Sequence, residues 1–137
     1  MKVVILHEAV AADARADELD ALGMLGHEHV ALPMTGDLQA TEQHLRELAP
    51  DVVFNLVESV DGDGKKLDLA PELLESMGLR FSGNGLRATR NAASKIESKR
   101  VLAAHDLPTP AWLAIEQLRH GKQVQPGRYI LKSVFEH

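Results

Sequence analysis

Apolar residues in the first half of the chain occur as short continuous runs separated by stretches with helical spacing. The run at 3–6 is apolar on both faces, as expected of a strand buried in a parallel sheet. A second strand is predicted at 29–32, and the run at 52–57 is the strongest strand signal. Pro33 is predicted to stop the second strand, because proline cannot donate to a strand ladder. A short fourth strand is predicted at 80–82. The pattern therefore indicates four strands before residue 85.

The stretches between these strands predict three amphipathic helices, since apolar residues recur three or four positions apart. Their stripes are Ala12, Ala16, Leu19 and Leu22, ended by Gly23 or Gly26; Leu38, Leu45 and Leu48, ended before Pro50; and Leu67, Ala70, Leu74 and Met77. Strands joined through helices of this length imply right-handed crossovers. Residues 1–87 are therefore predicted to form an α/β domain with a Rossmann-like parallel sheet.

The pattern changes after Gly85. One long helix is predicted at 91–105, followed by a proline-containing turn, a polar loop and a strand at 129–135. A lone strand needs partners, and none is predicted after it. We therefore expect residues 88–137 to be a connecting helix and the first part of an incomplete second domain, in a truncated chain.

Composition narrows the class of protein. The chain has 137 residues, 45% hydrophobic content, a formal net charge of -5 and no cysteine. The net acidity argues against a nucleic-acid partner, and the lack of cysteine excludes disulfides and thiol catalysis. No apolar run approaches the roughly 20 residues that span a bilayer. We expect a cytoplasmic protein with no membrane partner, and a homodimer is compatible with the sequence.

Open parallel sheets bind ligands beyond the carboxyl ends of their strands, and several polar residues fall there. They are His7 and Glu8 after the first strand, Asn55 and Glu58 after the third, and Ser82 after the fourth. A carboxylate at Glu58 is suited to bind an ammonium group. The alternative interpretation is that Glu58 is a solvated loop residue or caps the next helix. The Asp/Gly-rich loop at 61–64 is predicted to be mobile and close to the ligand.

Two further patterns are suited to phosphate. Residues 83–88 match G-x-G-x-x-A after a strand, which leaves open a non-catalytic nucleotide- or small-molecule-binding module; a tight turn is the simpler interpretation. Lys95 and Lys99 share a helix face, where a bound polyphosphate would relieve their repulsion, although solvated lysines would give the same pattern. Lys132 follows an apolar strand run, a position where a lysine often has an anionic partner.

Three segments resemble the D-alanine–D-alanine ligases and their relatives in the ATP-grasp superfamily. They are 50–59 with the loop at 61–64; 73–83, similar to the family's helix, strand and turn; and 94–112 followed by 129–132. The segments follow the family's order and spacing over most of residues 50–132. The sequence thus resembles a pre-ATP-grasp domain followed by the start of an ATP-grasp domain.

The resemblance implies the N-terminal part of an ATP-dependent carboxylate–amine ligase that uses ATP and Mg²⁺. Such an enzyme joins small amino acids such as D-alanine through an acyl phosphate. The resemblance assigns nucleotide binding to Lys95 and Lys132, and substrate binding to Glu58, Asn55 and Glu8. No metal ligand is expected in this chain, because the resemblance places the Mg²⁺ carboxylates in sequence that is absent here. The chain alone is therefore expected to be inactive.

Two departures from the family pattern concern the substrate. Many members have histidine where Glu58 stands and glycine where Ser59 stands. The family's glycine-rich, glutamate-containing turn after the first strand is not recognisable around residues 7–9. A related ligase with a different amino-acid substrate is therefore an equally good interpretation.

Overall fold

The computed structural model describes residues 1–9 and 16–135 of the chain. Contacts divide it into two compact units, Met1–Arg90 and a second unit that begins at Asn91. Each unit is described by itself below.

The first unit contains a three-stranded parallel sheet. Its strands are β1 (Lys2–Glu8), β2 (Glu28–Met34) and β3 (Val52–Asn55), in the order β2-β1-β3. Phe81 adds a single parallel bridge to Val53, so the fourth strand is reduced to one pairing. The α/β class and the parallel sheet predicted from the sequence are confirmed. β3 is shorter than predicted: it ends at Asn55, and the Val57 N–H already donates to the Asn55 side chain rather than to a neighbouring strand.

The prediction that Pro33 stops the second strand is wrong. β2 continues through Pro33, which lies opposite His7 of β1, and ends at Met34. β2 is an edge strand of this sheet. Edge strands tolerate proline, because only one side of their backbone must take part in the ladder.

The helices of the first unit are α1 (Ala16–Met24), α2 (Leu38–Leu48), α3 (Leu69–Ser76) and α4 (Leu86–Ala93), the last of which continues past Arg90. Gly23 lies inside α1, and the chain reverses at Gly26, whose positive φ of 73° suits glycine. The predicted contribution of Ala12 lies outside the described residues. α2 has the predicted extent, with the Asp37 side chain accepting a hydrogen bond from Ala40 N at 3.0 Å.

The core of the first unit lies between the sheet and the helices. β1 is the central strand, and its residues from Val3 to His7 are all buried. The core cluster comprises Val4, Leu6, Leu32, Met34, Leu45, Val53, Val57, Val60, Ala70, Leu73 and Leu74. Aliphatic side chains make up this cluster, as the scarcity of aromatic residues in the sequence requires.

Polar contacts fasten α4 to α3 within the same unit. Arg90 Nε lies 2.7 Å from Asp68 Oδ2, and Arg90 Nη2 lies 3.2 Å from Glu72 Oε2. The hydrogen bond to Asp68 is the main cause that raises the pKa of the Arg90 guanidinium. The Arg90 side chain therefore stays positively charged at neutral pH.

The second unit contains α5 (Lys95–Ala104) and α6 (Ile115–Arg119). The single helix predicted at 91–105 is wrong, because the chain is extended at Ser94, with φ −96° and ψ 120°. The Ser94 hydroxyl caps α5 by accepting a hydrogen bond from Glu97 N at 3.3 Å. Ser94 and Glu97 have the S-x-x-E spacing typical of a helix start, so the sequence did carry this signal.

The strand predicted at 129–135 is also wrong. Residues 121–135 contain no helix or strand, and Lys132 therefore does not lie in a strand. Ile130 and Leu131 are 83% and 98% exposed. An isolated apolar run gains no ladder partner or packing surface here, so strand propensity alone does not produce a strand.

No helix in the described part of the chain is both long enough and apolar enough to cross a membrane.

Candidate functional site

The loops that follow the strands meet at the carboxyl edge of the sheet. We use "carboxyl edge" for Glu8, Asn55, Glu58, Asp61 and Ser82. Glu8 Oε1 accepts a hydrogen bond from the backbone N–H of Glu58 at 3.1 Å, across 50 residues of sequence. The structure thus brings together Glu8, Asn55 and Glu58, the three residues predicted to bind substrate.

Asn55 directs the chain out of β3. Its backbone N–H donates to Ser82 Oγ at 3.0 Å. The Ser82 side chain thus provides the acceptor for β3 next to the bridge between Val53 and Phe81. The Asn55 side-chain oxygen accepts from Val57 N at 3.2 Å, an Asx-turn contact. Asn55 therefore shapes the turn that carries Glu58 to the edge, and its own side-chain oxygen is occupied.

The loop predicted to be mobile is held by specific contacts. Asp61 Oδ1 accepts from Gly36 N at 3.1 Å, and Asp61 Oδ2 lies 3.6 Å from Lys66 Nζ. Asp61 adopts a positive φ of 54°, a left-handed conformation that aspartate tolerates better than most residues other than glycine. A Cβ at Gly36 would collide with the Asp61 carboxylate. Sequence reasoning missed this tie, although Gly36 follows β2 at the same edge.

His7 lies beneath the carboxyl edge and is 3% exposed. Its Nδ1 is 2.7 Å from the carbonyl oxygen of Glu8. A carbonyl only accepts, so the proton of this hydrogen bond lies on Nδ1. The contact restrains the backbone at the last residue of β1.

The electrostatic character of the edge follows from its two glutamates. Glu58 is exposed and Glu8 is half-buried. Among the described residues, neither carboxylate has a lysine, arginine or histidine within ion-pair distance. An exposed carboxylate such as Glu58, with no cationic partner among the described residues, favours binding of a positively charged group.

The Glu75 carboxylate lies at the N-terminus of α4, which falls within the segment 83–88. Glu75 Oε1 accepts from Leu86 N at 2.8 Å, at the first residue of α4. A Cβ at Gly85 would lie 2.5 Å from the same oxygen. The position where a helix N-terminus would bind a phosphate is therefore taken by Glu75.

The predicted lysines lie in the second unit. Lys99 Nζ donates to Thr109 Oγ1 at 3.0 Å and to Pro110 O at 2.9 Å, so it ties α5 to the following turn. The backbone N–H of Lys95 donates to Val134 O at 3.0 Å, two residues beyond Lys132. The segments that carry Lys95 and Lys132 thus meet, and the Lys132 side chain is exposed.

A metal site would need several acidic or histidine side chains held close together. Among the residues that the structure describes, no three of them stand close enough together to hold a metal ion. The acidic side chains of the carboxyl edge therefore do not form a Mg²⁺ site by themselves.

The chain is similar to curated D-alanine–D-alanine ligases. It is 35% identical over 117 residues to the enzyme of Moorella thermoacetica. The aligned region covers 83% of this chain and 35% of that protein. The chain is 30% identical over 120 residues to the Gluconobacter oxydans ligase, covering 86% of this chain and 38% of that protein. It is 33% identical over 105 residues to the Gloeobacter violaceus ligase. No family model matches, and no solved structure matches.

These similarities confirm the resemblance inferred from the motifs. The chain spans little more than a third of the length of the relatives it matches. It is an α/β chain similar to a portion of the D-alanine–D-alanine ligases.

Proposed function

We propose that this chain is the N-terminal part of an ATP-dependent carboxylate–amine ligase that joins small amino acids such as D-alanine through an acyl phosphate. The observation that carries the proposal is the 30–35% identity to D-alanine–D-alanine ligases over about 85% of the chain. The parallel sheet with polar loops at its carboxyl edge supports it, since such edges hold ligands in open α/β folds.

In this proposal the carboxyl edge binds the ammonium group of the amino-acid substrate. Glu58 is exposed, forms no ion pair with a described residue, and is carried there by the turn at Asn55. Hydrogen bonds to charged groups contribute about 1.5–3 kcal/mol. The Glu58 carboxylate is the best-placed group of the edge for this contact.

The nucleotide would bind through the second unit, with Lys95 and Lys132 contacting its phosphates. The backbone contact between Lys95 and Val134 supports this assignment, because it brings the two lysine-bearing segments together. ATP would supply the phosphoryl group that activates a carboxylate. Since the described acidic residues do not form a metal site, no step at Mg²⁺ is assigned to this chain.

Titration of D-alanine, followed by NMR chemical shifts of the 137-residue chain, tests the proposed amine site. We expect shift changes at residues 55–61, and an affinity lowered at least about tenfold in Glu58→Gln, from the loss of a charged hydrogen bond. N-acetyl-D-alanine, which lacks the ammonium group, should cause no such shifts. Glu28→Gln, at the opposite end of the sheet, is the matched control. Equal affinity of the wild type and Glu58→Gln would contradict the site.

The chain by itself should not turn over. A phosphate-release assay with ATP, Mg²⁺ and D-alanine is expected to stay at background, because the chain spans only about a third of its ligase relatives. Any binding of ATP should weaken as salt is raised, since two exposed or half-exposed lysines are readily screened. Turnover at an ordinary enzymatic rate of about 1 per second or more would contradict this proposal.

A further inference from the structure

Three consecutive backbone N–H groups leave β3 with defined acceptors. Leu56 N donates to Leu6 O at 2.8 Å, which extends the contact with β1 by one residue. Val57 N donates to the side chain of Asn55. Glu58 N donates to the side chain of Glu8, the last residue of β1. The path of this segment is therefore set by β1 as much as by β3.

Glu8 is itself well placed to act as a fixed acceptor. It is half-buried at the end of the central strand, where the residues from Val3 to His7 are all buried. The buried His7 ring contacts the Glu8 carbonyl and restrains its backbone. The Glu8 side chain thus connects a rigid strand to an exposed loop.

We infer that Glu8 is a positioning residue, which sets the backbone at Glu58 by accepting its N–H rather than binding the substrate ammonium through its charge. Glu58 carries the charge that meets the ligand, and Glu8 holds the residue that carries it. The inference rests on the proposed function only for the role of Glu58; the hydrogen bond itself is a property of the free protein.

Two substitutions separate an acceptor from a charge. Glu8→Gln removes the charge but keeps a side-chain oxygen that can accept the Glu58 N–H, whereas Glu8→Ala removes both. Hydrogen exchange of the Glu58 amide in the free 137-residue chain measures the contact directly.

We expect exchange of the Glu58 amide to accelerate about tenfold or more in Glu8→Ala, and to stay within about threefold of wild type in Glu8→Gln. The amides of Val4 and Ile5 report whether the sheet is intact, and Glu28→Gln controls for the loss of one exposed charge.

Two results would overturn the inference. Unchanged exchange at Glu58 in a folded Glu8→Ala would mean that the N–H does not depend on Glu8. Exchange in Glu8→Gln as fast as in Glu8→Ala would mean that the charge, and not the acceptor, matters. If Glu8→Ala fails to fold, exchange of the Glu58 amide in Glu8→Gln is the test: a rate within about threefold of wild type supports the inference, and an acceleration of about tenfold or more contradicts it. No ligand is present in these measurements, so their failure is distinguishable from failure of the proposed amine site.

Discussion

Apolar side chains fill the space between sheet and helices in the first unit, whereas in the second unit no apolar residue of 91–135 is buried. Hydrogen bonds take the larger role there: the Ser94 cap, the Lys99 contacts with the turn, and the Lys95–Val134 backbone contact. Such hydrogen bonds contribute about 1 kcal/mol each, less than burial of a large apolar side chain. Burial of apolar side chains therefore contributes more to the stability of the first unit than to that of the second.

The largest expected effect distinguishes a core leucine from an exposed one. Leu74 is fully buried in the first unit, and Leu131 is 98% exposed in the second. Leu74→Ala should lower the free energy of unfolding by about 2–5 kcal/mol, from lost transfer energy and the cavity left behind. Leu131→Ala should leave it unchanged in urea denaturation followed by circular dichroism. Similar losses in both variants would remove the distinction between the units.

A smaller, local effect is expected from the cap of α5. Ser94→Ala should destabilise the helix by about 1 kcal/mol, because the Glu97 N–H loses its acceptor. Amide exchange at 97–104 measures this, and the sheet amides should not change. Ser94→Asp keeps a capping oxygen and is the matched control. A global loss of sheet protection in Ser94→Ala would show that the two units unfold together.

An effect of similar size is expected at the carboxyl edge of the first unit. Ser82→Ala leaves the Asn55 N–H without its acceptor, at a cost of about 0.5–1.5 kcal/mol. Ser82→Thr keeps the hydroxyl and should retain most of the stability. Exchange of the Asn55 amide, measured beside urea denaturation, separates the two variants. Equal behaviour of Ala and Thr would mean that the hydroxyl contributes nothing.

The smallest effect is expected from removing the second unit. Residues 1–90 alone should keep the midpoint and the free energy of unfolding of the sheet within the usual extrapolation error of about 10–15%. The amide spectrum of 2–8 and 52–55 should superimpose on that of the 137-residue chain. A collapsed or molten spectrum would show that the core of the first unit depends on residues beyond Arg90.

Local patterns were sufficient to predict most of the first unit. The three apolar runs became three parallel strands, and the stripe at Leu38, Leu45 and Leu48 became α2. The carboxyl ends of parallel strands lie at one edge of the sheet, which predicts that Glu8 and Glu58 lie close together, and the Glu58 N–H does donate to the Glu8 side chain. These features follow from side-chain periodicity and chain topology, which are readable from a sequence.

Local patterns failed where a distant partner decides the outcome. The apolar run at 129–135 has strand propensity, yet it finds no neighbouring strand in the described chain and stays irregular. Pro33 was expected to end β2, but the place of β2 at the edge of the sheet allows the strand to continue. The helical pattern at 91–105 predicts that Ser94 lies inside a helix, whereas Ser94 is extended and caps the start of α5.

The sequence by itself determined the α/β class, the order of the first three strands along the chain and the edge at which their polar loops gather, because these depend on periodicity. Only the tertiary structure decided which polar atoms meet: Glu8 with the Glu58 N–H, Asp61 with Gly36, and Glu75 with Leu86. Each pair joins residues far apart in sequence, through hydrogen bonds that require alignment within a few tenths of an ångström. No local pattern encodes that alignment, since it depends on how the core places the loops.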